Sequence, residues 1–326
     1  MWRLRDEKMD QRITIEFKNC INLAEILNKY NHNDSEYVTM QIGYDGNIYI
    51  LLNKNIPERI DGMFVPAESN SRFAVLVLQI DWHEDKIIQE KYYDLGVQKM
   101  NYSFIQPIPQ GFLLVAARCR YNKGNPDKNA SVIDHDGNMI REFCIGDGIS
   151  QCLFHPDLGI ITGYFDEGIF GNYGWKEPLG AYGVRVWGID GQDIWKADKQ
   201  IYDCYAMNVS GTGDIWYYYY DEFKLVKANI NGADHREYVP EIKGAESIII
   251  SEDEAALIMD KGYDADDEFA AKKILYDKLG DEIPVLFKYK GIECRVGLIS
   301  SYGSKAVFME NWKHMFIRSF QSLCTD

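Results

Sequence analysis

Residues 149–198 decide the fold and read ISQCLFHPDLGIITGYFDEGIFGNYGWKEPLGAYGVRVWGIDGQDIWKAD. Two short apolar segments flank the turn sequence HPDLG, because proline and glycine interrupt strands. Two further apolar segments flank Asp190-Gly191, a pair typical of a type I′ hairpin turn, in which both central residues have a positive φ. The stretch therefore predicts one four-stranded antiparallel sheet with a long loop, 166–182, after its second strand.

The rest of the chain repeats this plan. Strand-like segments flank Asp45-Gly46, Asp136-Gly137 and Asn231-Gly232, and the units recur about every 45–50 residues, a period typical of propellers. Copies of a four-stranded sheet bury both faces when they are arranged around an axis. We therefore predict an all-β, single-domain β-propeller of six four-stranded blades, with five or seven blades or a β-sandwich as the alternatives. The expected blades cover residues 36–98, 99–148, 149–199, 200–242, 243–290 and 291–326.

The two ends of the chain are expected to meet in the last blade. Residues 291–326 supply only three strands, whereas residues 12–17 (RITIEF) alternate polar and apolar side chains, as a half-buried strand does. Adding this strand to the last blade would close the ring and remove two open sheet edges. Between it and the first blade, residues 20–30 predict a short helix.

Composition excludes some classes of partner. The 326 residues carry a formal net charge of −15, which argues against nucleic acids and anionic membranes as partners. The seven cysteines are odd in number and lack CxxC spacing, so neither a zinc site nor a disulfide framework is predicted. The N-terminal residues lack the apolar core of a signal peptide, and no apolar run approaches the length of about 20 residues that a membrane helix needs. A cytoplasmic location is therefore expected.

Three hairpins carry a resemblance to known proteins: IGYDGNIYILLN (42–53), VIDHDGNMIREF (132–143) and VWGIDGQDIWKAD (186–198). They resemble the turns of bacterial propellers of the TolB-like, NHL and quinoprotein-like groups. The resemblance extends over most of the chain in plan, and it implies the propeller fold without implying a chemistry. The signature of WD repeats is absent, and the quinone-binding residues of the dehydrogenases have no counterparts here.

The candidate site is predicted on one face of the propeller. Loops after the second strands share a face with the links between blades, and the longest loops, 53–72, 118–129, 166–182 and 260–272, fall there. Long loops on a rigid scaffold are where binding residues concentrate. The residues that end each second strand are polar and are expected to circle the mouth of the central channel, while Trp175 offers a stacking surface. The ligand-binding candidates are Asn53, Arg118, Asp166, Glu167, Asp221, Glu222, Asp260, Glu310 and Trp175.

No nucleophile–base motif accompanies these residues. The histidines lack H-E-x-x-H spacing, and neither a G-x-S-x-G elbow nor a P-loop occurs. We therefore expect a non-catalytic binding module that takes a protein, small-molecule or glycan ligand on its loop-rich face, with a solvated rim of no function as the plain alternative. A metal-dependent hydrolase of the lactonase kind and a glycan-acting enzyme are the catalytic alternatives. No cofactor is predicted, although a divalent cation such as calcium would suit a hydrolase.

A double substitution, Asp166→Asn with Glu167→Gln, tests the metal alternative. A cation that binds only the folded protein stabilises it by about 2.7 kcal/mol at 100 times its dissociation constant. If these carboxylates hold it, thermal unfolding of chelator-treated protein shifts upward when calcium, magnesium, manganese or zinc is restored, and the double variant loses that shift. A variant that unfolds outright would instead assign both residues to the framework.

Overall fold

A computed structural model describes residues 12–232, 234–265, 267–276 and 278–322. Nearly all regular structure in this part of the chain is β-strand, as the sequence predicts, and the two α-helices are short. The N-terminal elements are β1 (Ile13–Phe17), β2 (Ile21–Asn22) and α1 (Leu23–Lys29), so the predicted helix within 20–30 is confirmed.

Three antiparallel four-stranded sheets follow in chain order. Each begins with its innermost strand and ends with its outermost, and a small hairpin lies in the 118–129 loop. The strands are β3 (Tyr37–Ile42), β4 (Ile48–Asn53), β5 (Glu68–Asp81), β6 (Lys86–Met100), β7 (Phe104–Ile108), β8 (Gly111–Val115), β9 (Tyr121–Asn122), β10 (Asn125–Pro126), β11 (Ala130–Ile133), β12 (Met139–Phe143), β13 (Ile149–His155) and β14 (Gly159–Tyr164), then helix α2 (Asp166–Phe170), β15 (Val184–Trp187) and β16 (Asp193–Lys196).

The second half of the chain has the same plan with one larger sheet. A four-stranded sheet, β17–β20, is followed by a seven-stranded sheet that contains β21–β26, and β27–β29 belong to the last sheet. The strands are β17 (Cys204–Val209), β18 (Ile215–Tyr219), β19 (Leu225–Ala228), β20 (His235–Tyr238), β21 (Ile248–Ile250), β22 (Ala256–Asp260), β23 (Phe269–Leu275), β24 (Lys278–Leu279), β25 (Ile283–Tyr289), β26 (Ile292–Glu293), β27 (Gly297–Tyr302), β28 (Lys305–Glu310) and β29 (His314–Ser319).

The innermost strands form a closed circuit. Strand β3 contacts β7, β7 contacts β13, β13 contacts β17, β17 contacts β21, β21 contacts β27, and β27 returns to β3. This radial arrangement is a β-propeller, with apolar clusters packed between neighbouring sheets. The expectation of six four-stranded blades is wrong, however. Five sheets are four-stranded blades, and the sheet whose inner strand is β21 has seven strands because β1 and β26 pair with β25 and β24 pairs with β23.

The N-terminal segment closes the ring in a different way from the one predicted. Strand β1 pairs in parallel with β25, so that Ile13 lies opposite Val285, and it therefore extends the seven-stranded sheet. The last sheet is completed by β2, which pairs antiparallel with β29 and sets Ile21 opposite Met315. The expectation that residues 12–17 complete the last blade is thus wrong, because the chain crosses between two sheets after Phe17.

Hydrogen bonds from side chains tie the inner strands to one another. Gln41 accepts from the backbone N–H of Ile105 (2.7 Å) and donates to the carbonyl of Cys152 (3.0 Å). Asn208 donates to the carbonyls of Ile248 (2.9 Å) and Gly303 (3.0 Å). Since inner strands of different sheets share no backbone ladder, these side chains satisfy backbone groups that would otherwise stay unpaired. Further hydrogen bonds between inner strands, written from donor to acceptor, are Ser150 to Cys204, Ser301 to Ile248, Tyr302 to Phe154, and Ile42 to Ser300.

The Asp-Gly hairpins use a different turn from the predicted type I′. Gly46, Gly137 and Gly191 have positive φ values of 78°, 85° and 82°, whereas the aspartate before each glycine does not. In two of these hairpins the strand register shifts beside the turn, at Val132/Ile133 and at Val186/Trp187. The pattern is a helical-type turn closed by a glycine bulge, and it needs only one positive φ.

Replacing Phe17 tests the closure by the N-terminal segment. Its side chain is 2% exposed and stacks on Phe287 (ring centroids 5.4 Å apart) and Phe316 (4.6 Å), which belong to two different sheets. We expect Phe17→Ala to lower the free energy of unfolding by about 3–5 kcal/mol in urea denaturation. The control is Phe170→Ala, at a ring that is 57% exposed. Equal losses of unfolding free energy in Phe17→Ala and Phe170→Ala would contradict the role of Phe17 in closing the ring.

Candidate functional site

The loops after the second strands and the links between sheets share one face, as predicted. The carboxylate of Asp221, after β18, accepts a hydrogen bond from the backbone N–H of Tyr202 in the link before β17 (3.0 Å). Asp260, at the end of β22, accepts from Ser247 Oγ in the link before β21 (2.6 Å). This face, termed the loop face, therefore brings strand ends and links within hydrogen-bond distance of each other.

Arg118 lies in a buried ion-pair network. Its side chain is 7% exposed, and its guanidinium binds both carboxylate oxygens of Asp147 at 3.0 and 2.9 Å. A third contact joins Nη1 to Glu167 Oε2 at 2.5 Å, and the ring of Tyr173 covers the guanidinium, with its centroid 4.0 Å away. Burial lowers the pKa of Arg118, but the hydrogen bonds to Asp147 and Glu167 outweigh it and raise the pKa overall. Arg118 thus joins the link before β13 to helix α2, and its bidentate pair with Asp147 fixes the relative orientation of these loop segments.

The loop 166–182 is folded over its own aromatic side chains. Trp175 is 8% exposed and donates from Nε1 to the carbonyl of Cys119 (2.7 Å), so it offers little surface to a ligand. Gly168 is required by packing, because a Cβ atom there would lie 2.3 Å from the carbonyl oxygen of Asp147. Phe170 remains exposed and meets Tyr202 edge to face, with centroids 5.2 Å apart.

Other predicted site residues bind neighbouring framework groups. Asn53 is fully buried and donates to Ser69 Oγ (3.0 Å). The carboxylate of Glu310, at the end of β28, lies 3.4 Å from Nδ1 of His314, at the start of β29. Glu222 points toward Lys199 and Lys224, which lower its pKa to about 2. The strand-end residues therefore do not converge on one point of the channel mouth.

Three carboxylates do gather at the mouth, from α2 and from two links. Asp203 lies immediately before β17, and Glu246 lies two residues before β21. Burial and, after it, the charges of Asp166 and Glu246 together raise the pKa of Asp203 to about 7, although a hydrogen bond from the backbone N–H of Asp166 partly opposes the rise. Of the predicted residues, Asp166 belongs to this group, which we term the acidic cluster (Asp166, Asp203 and Glu246).

Two adjoining cavities open beside the acidic cluster. The channel cavity, of about 220 Å³, is lined by inner-strand residues such as Gln41, Ser150 and Ser301. The outer cavity, of about 610 Å³, lies over the seven-stranded sheet and is lined by Asp260, Tyr263 and Asp267, among others. Both cavities are lined by Glu246, Ser247 and Leu298, so they adjoin each other, and we term the two together the groove. The charged residues lining the groove are all acidic: Glu246, Asp260 and Asp267.

An aromatic cluster borders this groove. The hydroxyls of Tyr205 and Tyr263 are 2.7 Å apart, and the Phe223 ring meets Tyr263 edge to face with centroids 6.1 Å apart. Tyr220, with a ring centroid 5.6 Å from that of Tyr205, is 45% exposed, and Tyr263 is 62% exposed. A side chain at Gly244 would lie 2.4 Å from the Tyr263 ring, so glycine at this position lets the ring cover the link. Exposed tyrosine faces next to carboxylates attract cations.

The described residues contain no group of three or more His, Cys, Asp or Glu side chains that could hold a metal ion. The acidic loop at 264–268 contributes Asp264, Asp267 and Glu268, while Asp266 lies outside the described residues. The described part of the chain thus offers no coordination geometry that would support the divalent-cation alternative. Among the helices described, none is both long and apolar enough to cross a membrane.

Sequence reasoning missed most of the groove. It examined the ends of the second strands, whereas Asp203 and Glu246 lie in the links that precede inner strands. The missed residues share a feature that is visible in the sequence. Each is an acidic or aromatic residue within three residues of an inner strand or of the loop after a second strand. They are Asp203, Tyr205, Tyr220, Glu246 and Tyr263.

Comparisons with known proteins establish the fold and nothing finer. No family model matches the chain. No curated protein matches it either. Among solved structures, a chain of the mitotic checkpoint complex shares 9% identity over 99% of both chains, with a TM-score of 0.51. A catalytically inactive virginiamycin B lyase from Staphylococcus aureus, solved with quinupristin, shares 12% identity over 92% of this chain and 97% of that one, with a TM-score of 0.50.

Both comparisons agree with the radial sheets described above. The chain has the β-propeller fold. At these identities the similarity carries neither a site nor an activity to this propeller. The resemblance to propellers that the hairpins indicate is thereby confirmed at the level of fold, without a particular family.

The pH dependence of stability tests the acidic cluster. Because the pKa of Asp203 rises from 3.8 to about 7 on folding, the folded protein binds more protons than the unfolded chain between these values. Stability therefore falls as the pH rises through this window. We expect Asp203→Asn to flatten that fall and to unfold at a higher temperature than the parent at pH 8. Asp136→Asn, in an exposed turn of the opposite face, removes the same charge as a control. If the unfolding temperatures of the parent and of Asp203→Asn changed with pH in the same way, the clustering of charge around Asp203 would be contradicted.

Proposed function

We propose that this propeller is a binding module that takes a lysine- or arginine-containing segment of another protein into the groove of the loop face. The observation that carries the proposal is the groove, in which every charged lining residue described is acidic and beside which aromatic rings are exposed. The fold supports it, since propellers serve as rigid scaffolds for loops that bind partners.

Charge complementarity favours a cationic segment. The acidic cluster places Asp203 near Asp166 and Glu246, and the mutual repulsion of these acids contributes to the raised pKa of Asp203. A lysine or arginine between them would relieve this repulsion, because an opposite charge favours the ionised carboxylate. The net charge of −15 adds a long-range attraction for basic partners.

The aromatic rim suits the same ligand. Tyr220 and Tyr263 are exposed beside the groove, and tyrosine faces bind guanidinium and ammonium groups by cation–π attraction, worth about 0.5–1 kcal/mol at exposed sites. The long apolar stems of lysine and arginine also pack well on such rings. An extended segment could therefore lie along the outer cavity and direct one cationic side chain into the channel cavity.

The catalytic alternatives receive no support from this geometry. A metal-dependent hydrolase needs several oxygen ligands around one point, and Asp260 instead uses its oxygens for Ser247, Glu246 and Gly262. Arg118 is paired with both Asp147 and Glu167. A ligand-binding role therefore explains the arrangement of residues on the loop face better than a catalytic role does.

Fluorescence anisotropy with labelled peptides tests the proposed function. The probes are a ten-residue peptide of alternating lysine and glycine and a glutamate peptide of the same length. We expect binding of the lysine peptide only, weakening as salt rises, because exposed charge pairs are screened. Glu246→Gln should weaken it about fivefold, which corresponds to loss of one ion pair worth about 1 kcal/mol.

The matched control is Glu142→Gln, which removes one exposed acid from outer strand β12 and should leave the affinity unchanged. Tyr263→Ala should weaken the lysine peptide to a similar degree as Glu246→Gln. Equal binding of the lysine and glutamate peptides, or equal effects of Glu246→Gln and Glu142→Gln, would overturn the proposed site.

A further inference from the structure

Cys119 and Cys144 meet although 25 residues separate them in the chain. Cys119 follows strand β8, Cys144 follows β12, and their sulfur atoms are 3.6 Å apart. Both thiols are free in this structure. A disulfide needs sulfur atoms at about 2.05 Å, so the two sulfur atoms, now 3.6 Å apart, would have to approach each other by about 1.5 Å to bond. From this juxtaposition we infer that Cys119 and Cys144 are a peroxide-sensitive dithiol that closes to an intramolecular disulfide.

The two cysteines differ in access. Cys119 is fully buried, and its thiol also contacts the carbonyl of Asp127 at 3.2 Å. Cys144 is only half-buried. The geometry therefore makes Cys144 the thiol that meets a small oxidant from solvent, while Cys119 is held behind it and attacks second.

The hydrogen bond between the thiols supports this order. The thiol of Cys119 stabilises the anion of Cys144 and lowers the pKa of Cys144, while burial opposes the shift. The same bond, followed by burial, raises the pKa of Cys119. Because the thiolate is the reactive form, Cys144 is the better nucleophile. The carboxylates of Asp127 and Asp147 face both sulfur atoms and raise both pKa values, which limits the reactivity of the pair.

The chemistry balances with hydrogen peroxide as the oxidant. The Cys144 thiolate attacks one peroxide oxygen, the O–O bond breaks, and the departing hydroxide takes a proton to become water. The sulfur of Cys119 then attacks the sulfur of the resulting sulfenic acid. The S–O bond breaks as the disulfide forms, and the departing hydroxide takes the Cys119 proton. In total, two thiols lose two electrons and two protons, and one peroxide is reduced to two waters.

The backbone around Cys119 is already fixed for such a cross-link. Its N–H donates to Asp147 Oδ1 (2.6 Å), and its carbonyl accepts from Trp175 Nε1 (2.7 Å). These partners belong to the link before β13 and to the 166–182 loop, so the disulfide would tie the strand end of β12 to the framework that carries Arg118. The inference does not depend on the proposed function of the groove.

Peptide mapping of the reduced full chain after peroxide treatment tests the inference. Remaining thiols are blocked with N-ethylmaleimide, and the protein is digested with trypsin without reductant. Arg120 and Arg141 lie between the two cysteines, so the disulfide joins two separate tryptic peptides, and fragmentation distinguishes Cys144 from Cys152 on the larger one. We expect the Cys119–Cys144 link, its reversal by dithiothreitol, and a rise of about 5 °C in the unfolding midpoint.

Two variants sharpen the result. Cys119→Ser should leave Cys144 as a sulfenic acid that dimedone traps, whereas Cys294→Ser, which removes another partly buried thiol, should leave the disulfide intact. The wild-type map decides the matter even if Cys119→Ser fails to fold. A link between any other pair, or oxidation of Cys294 while Cys119 and Cys144 remain free thiols, would overturn the inference.

Discussion

The propeller depends on side-chain hydrogen bonds that join inner strands of different sheets. Within each sheet the backbone ladder satisfies most N–H and C=O groups, but the channel edge of every inner strand has no ladder partner. Gln41, Ser150, Asn208 and Ser301 fill this role by bonding to the backbone of a neighbouring inner strand. An unpaired buried backbone group costs free energy comparable to a lost hydrogen bond. This explains why polar residues occupy the middle of the molecule.

The ring is closed by one segment that belongs to two sheets. Strand β1 pairs in parallel with β25, whereas β2 pairs antiparallel with β29. Between them, Phe17 packs against rings from both sheets. The link is stronger than a single added strand would be, because separating the two sheets exposes Phe17 as well as breaking a ladder. Helix α1 then continues to β3, so one continuous stretch of about 30 residues connects the seven-stranded sheet, the last sheet and the first.

The sequence predicted the fold well because its strongest signals are local. Hairpin glycines such as Gly46 and Gly191, apolar strands and a regular period predict sheets without any knowledge of distant contacts. The closure was predicted only in outline, since the pattern of residues 12–17 marks a strand but not its partner. For the site, the strand-end rule found Asp166 but also selected Arg118 and Asn53, which bind framework groups. The approach of Cys119 to Cys144 could not be predicted, because it depends on how the loop after β8 folds.

Two acids of the loop face, Glu222 and Asp203, have pKa values shifted in opposite directions. Lys199 and Lys224 lower the pKa of Glu222 to about 2, so its charge is already compensated and stabilises the fold. The pKa of Asp203 is raised to about 7 by burial and by two neighbouring acids, so ionising it costs folding free energy. A fold can remove such a cost by adding a basic residue, yet no basic side chain is among the groups that shift the pKa of Asp203, and none lines the groove in the described part of the chain. Strongly shifted pKa values concentrate at functional sites, which is the physical reason why the proposed recognition centres on the acidic cluster rather than on the other acids at the strand ends.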